Sequence, residues 1–218
     1  MQALDKICED IRTDFENKTA LRDEALRNAR QCIKHASLAI RAIHRNEQNE
    51  ARHELSQGRV LVDQLRLTLK ESHPELYFAG YTQDAVKEYC EAELTVAMIL
   101  GQPLPTPEDL HAENPAYLNG LTETLGELRR RCLDLLRPGY NNEVERLLEL
   151  MMRFTPSWSR WITRMRSPKV CAVVPIWLAG SSSAQGLILP SPIVKNNWRT
   201  SWNSSPASLQ ITPPDAQD

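Results

Sequence analysis

The chain has 218 residues, 41% of them hydrophobic and 25% charged, and a formal net charge of −2. That length can enclose one sizeable core, and no apolar run approaches the roughly 18 residues that a transmembrane helix needs. The opening MQALDKICEDIRTDF has acids within its first ten residues and no continuous apolar stretch, which argues against an ordinary secretory signal; five cysteines without tight spacing fit a cytoplasmic, reducing compartment.

Residues 1–152 read as almost entirely helical. Ile7, Ile11, Phe15, Leu21, Ala25, Ala29, Ile33, Ala36, Ile40 and Ile43 recur mostly at three- and four-residue steps. They predict one very long amphipathic helix with nothing to break it before His44. A second helix is expected from about Gln48 to Lys70 on Leu55, Val60, Leu61, Leu65 and Leu69, with Gly58 a weak point and Pro74 beyond its end. HPELY leads into a third, from about Thr82 as N-cap to Leu100, closed by Gly101. After a loop containing Pro103, Pro105 and Pro107, a fourth is expected over roughly Pro115 to Arg137 and a fifth from near Asn141. The fold class is all-α, a bundle of long antiparallel helices. Cys90 and Cys132 fall where small buried hydrophobes belong. Leu94, Val96, Ile99 and Leu100, on more than one helix face, suit burial against other subunits.

Two glutamate pairs stand out. Glu88 and Glu91, in DAVKEYCEAEL, are three apart; Glu123 and Glu127, in YLNGLTETLGELRRRC, are four apart, so each pair shares one helix face. Like charges at these spacings weaken a helix by a few tenths of a kcal/mol. Solvated surface is the ordinary explanation of such pairs, since glutamate is a strong helix former. Here, however, Glu88 is followed by Tyr89 and Cys90, and Glu123 and Glu127 sit among Leu118, Leu121, Leu125 and Leu128. Four acids converging from two packed helices would suit a hard divalent cation, which takes carboxylate oxygens from rigid supports. The histidines His35, His44, His53, His73 and His111 are scattered, and none reads as catalytic.

KEYCEA resembles the EYxEA signature of the translin family, in particular its translin-associated factor X branch, and YLNGLTETLGELRRRC resembles that branch's YLxGxxDxxGELxRxC block. The match extends over most of residues 1–152, including DFENKTALRDEALRNARQCIKHASLAIRAIHR and HPELY. The resemblance implies a translin-like bundle and the activity of that branch, a metal-dependent endoribonuclease; translin itself binds single-stranded nucleic acid and lacks the EYxEA acids. Carried over by position, Glu88 and Glu91 match the first acidic pair, Glu123 the aspartate of the second block, and Glu127 its glutamate. As catalytic residues they would hold one or two Mg²⁺ or Mn²⁺ ions. Where the family's block has aspartate this chain has Glu123, whose longer arm still reaches a metal. Arg130 matches the arginine of GELxRxC and would contact phosphate; a solvated arginine in the run Arg129–Arg131 is the alternative. The implied partners are single-stranded RNA or DNA and further copies of the chain, in the family's hollow helical octamer, with no membrane. Residues 1–152 hold 19 Lys/Arg against 26 Asp/Glu, so an RNA site must be local and enclosed. A non-catalytic strand-binding module would need stacking aromatics, of which this region offers few: Phe15, Tyr77, Phe78, Tyr81, Tyr89, Tyr117 and Tyr140. A helical scaffold would leave the glutamates unexplained.

The character of the chain changes after Met152. All five tryptophans and eight of the fourteen prolines lie beyond it, with seven Lys/Arg against two Asp/Glu, and helical periodicity vanishes. A basic, nucleic-acid-binding tail is one reading. The preferred one is out-of-frame translation. Back-translated and shifted by one base, the Met151–Met152 and Trp161–Ile162 junctions each force an aspartate, and permitted codons continue into runs resembling the family's closing helices. Residues 153–218 are therefore expected to form an irregular tail on a helical domain of residues 1–152. An inactive product of a frameshifted gene is the corresponding functional alternative.

Overall fold

A computed structural model of the chain describes the backbone of residues 2–137, 139 and 141–165, with side chains as far as Phe154. Residues 1–158 form one compact unit. The described residues form helices in the order α1 (Gln2–His44), α2 (Gln48–Leu69), α3 (Pro74–Tyr77), α4 (Gly80–Leu100), α5 (Asn114–Leu136) and α6 (Asn142–Met165), joined by turns and loops, with no strand among them. No helix among them is long and apolar enough to cross a membrane.

The first helix contains no glycine or proline, which is why it runs unbroken for 43 residues. It stops where Asn46 turns left-handed (φ 64°) and Glu47 N–H returns to the Ala42 carbonyl. Its two halves have different fates. From Ala25 onward, Ala29, Cys32, Ala36, Ala39 and Ile43 are buried against the bundle. Residues 3–20 are exposed throughout, so Leu4, Ile7, Ile11 and Phe15 form an apolar stripe left open to solvent among the described residues. Cys32 rather than Ile33 faces inward, and on α2 Val62 rather than Val60 does so.

Helix α4 is the centre of the bundle, packed on α1, α2 and α5. From Tyr89 to Ile99 every residue but Glu93 is buried, as expected of a helix packed on several sides. Leu94, Val96 and Ile99 are therefore covered by the chain's own helices. They are not an assembly surface as the sequence suggested; each fully buried leucine or isoleucine instead adds about 1.5–3 kcal/mol to this core. The expected weak point Gly58 also has a packing role. A Cβ there would lie 3.0 Å from the Tyr89 ring, so the glycine lets α2 close onto α4.

The expected N-cap at Thr82 is displaced. Ala79 caps α4 without a side-chain bond, and Thr82, buried in the first turn, donates its hydroxyl to the Leu76 carbonyl (2.8 Å), tying down the short α3. Gly101 closes α4 as expected, with its N–H on the Ala97 and Met98 carbonyls. Helix α6 starts under an Asn141 cap, whose Oδ1 accepts from Val144 N–H at 3.0 Å. It continues to Met165, past the boundary expected at Met152. Once VERLLELM has nucleated a helix, each further residue adds a hydrogen bond at little extra cost, so loss of apolar periodicity alone does not end it. The expectation of an irregular, out-of-frame tail otherwise falls on residues 166–218, outside the described residues.

Candidate metal centre

The centre is built where α5 crosses α4 at backbone contact. A Cβ on Gly120 would lie 2.8 Å from the Lys87 carbonyl oxygen, 2.9 Å from Glu91 N and 3.0 Å from Cys90 Cβ, so only glycine admits this approach. Thr124, one turn on, seals it, donating to the Gly120 carbonyl at 2.9 Å and reaching the Glu91 carbonyl at 3.4 Å. The crossing brings Glu123 of α5 over Glu88 and Glu91 of α4. One carboxylate oxygen from each lies within 4.8 Å of those of the other two.

The three acids differ in setting. Glu91 is 8% exposed, Glu88 is half-buried and Glu123 is exposed. Burial first, then the neighbouring carboxylates of Glu88 and Glu123, push the Glu91 carboxyl up to about 8. Lys87 enters the same space. Its Nζ lies 2.7 Å from Glu88 Oε1 and 2.5 Å from Glu123 Oε2. Burial works against its charge, but the bonds to Glu123 and Glu88 outweigh it and hold its pKa above the ordinary lysine value.

Glu127 lies outside this group. Its Oε2 is 2.6 Å from His44 Nε2 and 3.5 Å from Arg130 Nη1. The bond to His44 is the main cause that holds its carboxyl below the usual carboxylate range. Three of the four glutamates read from the sequence are therefore together, and the fourth is turned to the end of α1. His44 is nearly buried, and its Nδ1 has no hydrogen-bond partner among the described residues. Arg130 is 55% exposed beside Glu127. The buried arginine is Arg131, 5% exposed, which donates to the His44 carbonyl, Asn46 Oδ1 and Glu143 Oε1 and knots α1, α5 and α6 together.

Sequence reasoning missed Lys87, Gly120 and His44. Lys87 had a weak signal, its four-residue spacing from Glu91. His44 had none, since its partner is far along the chain. Cys90 and Cys132 are fully buried as expected, and burial pushes their thiols up to about 12 and about 11, which leaves them inert.

Three carboxylates on two rigid helices, with oxygens within 4.8 Å, fit a hard divalent cation of the Mg²⁺ or Mn²⁺ kind. The burial of Glu91 between Glu88 and Glu123 is compatible with the same fit, because a buried carboxylate beside two others gains from a nearby positive charge.

No family model matches the chain. A curated relative, an uncharacterised protein of Methanocaldococcus jannaschii, is 27% identical over 137 residues, or 62% of this chain; the chain spans 60% of that relative's length. Among solved structures, the crystal structure of AfC3PO matches with a TM-score of 0.72 and 29% identity, over 83% of this chain and 94% of that one. AfC3PO in complex with duplex RNA matches with a TM-score of 0.73 and 27% identity, over 87% and 98%. Apo-NeC3PO, at a TM-score of 0.71 and 15% identity over 83% and 94%, shares the fold.

Proposed function

We propose that this chain, related to the C3PO proteins of the translin family, is a divalent-cation-dependent endoribonuclease of the translin-associated factor X kind, cutting single-stranded RNA. The observation that carries the reading is the convergence of Glu88, Glu91 and Glu123 at the glycine-mediated crossing of α4 and α5. Nucleic acid as the ligand is supported by the C3PO relative seen with duplex RNA.

Hydrolysis of a phosphodiester joins a water oxygen to phosphorus and breaks the bond to one bridging oxygen, with a proton leaving the water and one reaching the departing oxygen. When bound, a divalent cation supplies activation of that water and offsets the charge that builds on phosphate. Glu88, Glu91 and Glu123 would hold it, and the two packed helices fix their reach. Glu91, carrying a proton near neutrality, must give it up as the cation binds. Glu127, engaged by His44, keeps the end of α1 docked on α5 beside the centre.

The strand-binding alternative needs exposed aromatic faces; Tyr77 and Tyr89 are buried at 1% exposed, which leaves Phe15 and Phe78, 64% and 56% exposed, as the rings open to a stacked base. Assembly of several copies into a shell is part of the proposal. The surface that supports it is the open stripe of Leu4, Ile7, Ile11 and Phe15 on α1.

The test is cleavage of single-stranded RNA with Mn²⁺ and with EDTA, for the chain and for its Glu88→Gln, Glu91→Gln double variant. Glutamine keeps the helix propensity, so the variant should stay helical and lose metal-dependent cutting. Full cutting by a folded double variant, or by the chain in EDTA, refutes the assignment.

A further inference from the structure

The carboxylate centre contains a cation of its own. Lys87 precedes Glu88 on α4, and its side chain, 16% exposed, is turned inward across the gap to α5. Its Nζ is held at 2.7 Å by Glu88 Oε1 and at 2.5 Å by Glu123 Oε2. A divalent ion binds carboxylate oxygens at about 2.0–2.6 Å. An ion bridging Glu88 and Glu123 through these two oxygens would coincide with the ammonium.

We propose that Lys87 is a resident cation of this centre, filling one of two cation positions among the three carboxylates, so that the chain takes a single divalent ion there. The inference rests on the metal reading above. Two-metal hydrolytic centres place their ions about 3.5–4 Å apart between shared carboxylates. In this chain the span from Glu88 to Glu123 is bridged by nitrogen. Charge points the same way. The three ionised carboxylates carry three negative charges and Lys87 returns one, leaving what one divalent ion cancels. A second ion would leave excess positive charge beside the nearly buried Glu91, without a counter-ion until phosphate arrives.

The arrangement also assigns Lys87 a position in the loaded centre. Held between Glu88 and Glu123, it fixes which of their oxygens stay free to face Glu91 and the ion. An ordinary interhelical ion pair is the competing explanation, and it predicts no effect on ion count.

Counting bound Mn²⁺ decides between them. The full chain, stripped with EDTA, is titrated with Mn²⁺ while free ion is followed by its electron paramagnetic resonance signal, in parallel with Lys87→Met, Lys87→Arg and the Glu88→Gln, Glu91→Gln double variant. The chain and Lys87→Arg should bind one ion each, Lys87→Met should bind a second, and the double variant should bind none. Circular dichroism confirms that each remains helical, and Lys87→Gln substitutes for Lys87→Met if the latter does not fold. Two ions in the unmodified chain, or one in the folded neutral variant, overturns the proposal while leaving the metal reading intact. No ion in the unmodified chain or in Lys87→Met removes both.

Discussion

Gly120→Ala separates the packing of the centre from its chemistry. The added methyl would meet the Lys87 carbonyl oxygen at 2.8 Å, Glu91 N at 2.9 Å and Cys90 Cβ at 3.0 Å. Two of these atoms are backbone and the third is bonded to it, so no side chain can swing away. Helix α5 has to retreat by roughly 0.5 Å or more to restore ordinary contact. Overpacking of this kind costs about 1–3 kcal/mol, and the better helix propensity of alanine returns up to about 1 kcal/mol. A net loss of about 1 kcal/mol lowers the melting temperature of a chain this size by about 2–4 °C. The control lies on the same helix: nothing is within 4 Å of a Cβ at Gly126. Gly126→Ala therefore gains the propensity term alone and should melt about 2–4 °C higher. Because Glu123 lies one turn beyond Gly120, retreat of α5 carries it from Glu88 and Glu91. Mn²⁺ affinity should fall roughly tenfold or more in Gly120→Ala and stay unchanged in Gly126→Ala. Thermal melts and Mn²⁺ titrations of both variants test this. Equal melting temperatures with equal affinities would refute the glycine-crossing argument.

Glu91→Gln should stabilise the metal-free protein, increasingly so with pH. The folded-state pKa of Glu91 is raised from 4.5 to about 8, so its contribution is fully present below pH 4.5 and is lost as pH rises through about 8; melts in EDTA should show the variant's advantage widening between pH 5 and pH 8.5, and a constant difference counts against the burial argument. Glu127→Gln should keep Mn²⁺ affinity within a few-fold, because Glu127 is bound to His44 rather than to the cluster, while Glu123→Gln loses at least tenfold. Glu127→Gln should also cost about 1.5–3 kcal/mol through the lost charged hydrogen bond, and comparable Mn²⁺ losses in the two variants would place Glu127 in the centre after all.

The helices were legible because their signals are local. Three- and four-residue apolar steps, Gly101 and the prolines of the loop before α5 each act within a turn or two, and the observed bounds of α1, α2, α4 and α5 follow them closely. Thr82 shows the limit of that reasoning: the residue type suits a cap, but the carbonyl of Leu76 is a nearer partner once α3 has formed. The centre was half legible. Helical spacing places Glu88 with Glu91 on one face, and Glu123 with Glu127 on another, without saying which face meets which. That is decided by Gly120, whose missing side chain fixes the depth of the crossing, and the crossing admits Glu123 but leaves Glu127 to His44. No spacing rule couples residues 44 and 127, because their contact depends on where a 43-residue helix happens to end.

The position of Glu91 bears most directly on why the acids are there. An exposed glutamate pair costs a helix a few tenths of a kcal/mol and needs little explanation. Glu91 is different: it is 8% exposed on the central helix, with Glu88 and Glu123 among its nearest charges. Glutamine would fit the same space without the penalty for ionisation, so fold stability at neutral pH favours replacing it. Lys87 does not reverse this, since its close contacts are with the other two acids. A residue that weakens the fold on its own is the kind that a functional role explains, and the proposed cation supplies one. On the proposed reading the cost at Glu91 would fall when a cation binds, and the same cation would bring an RNA phosphate to a chain whose first 152 residues carry more negative than positive charge.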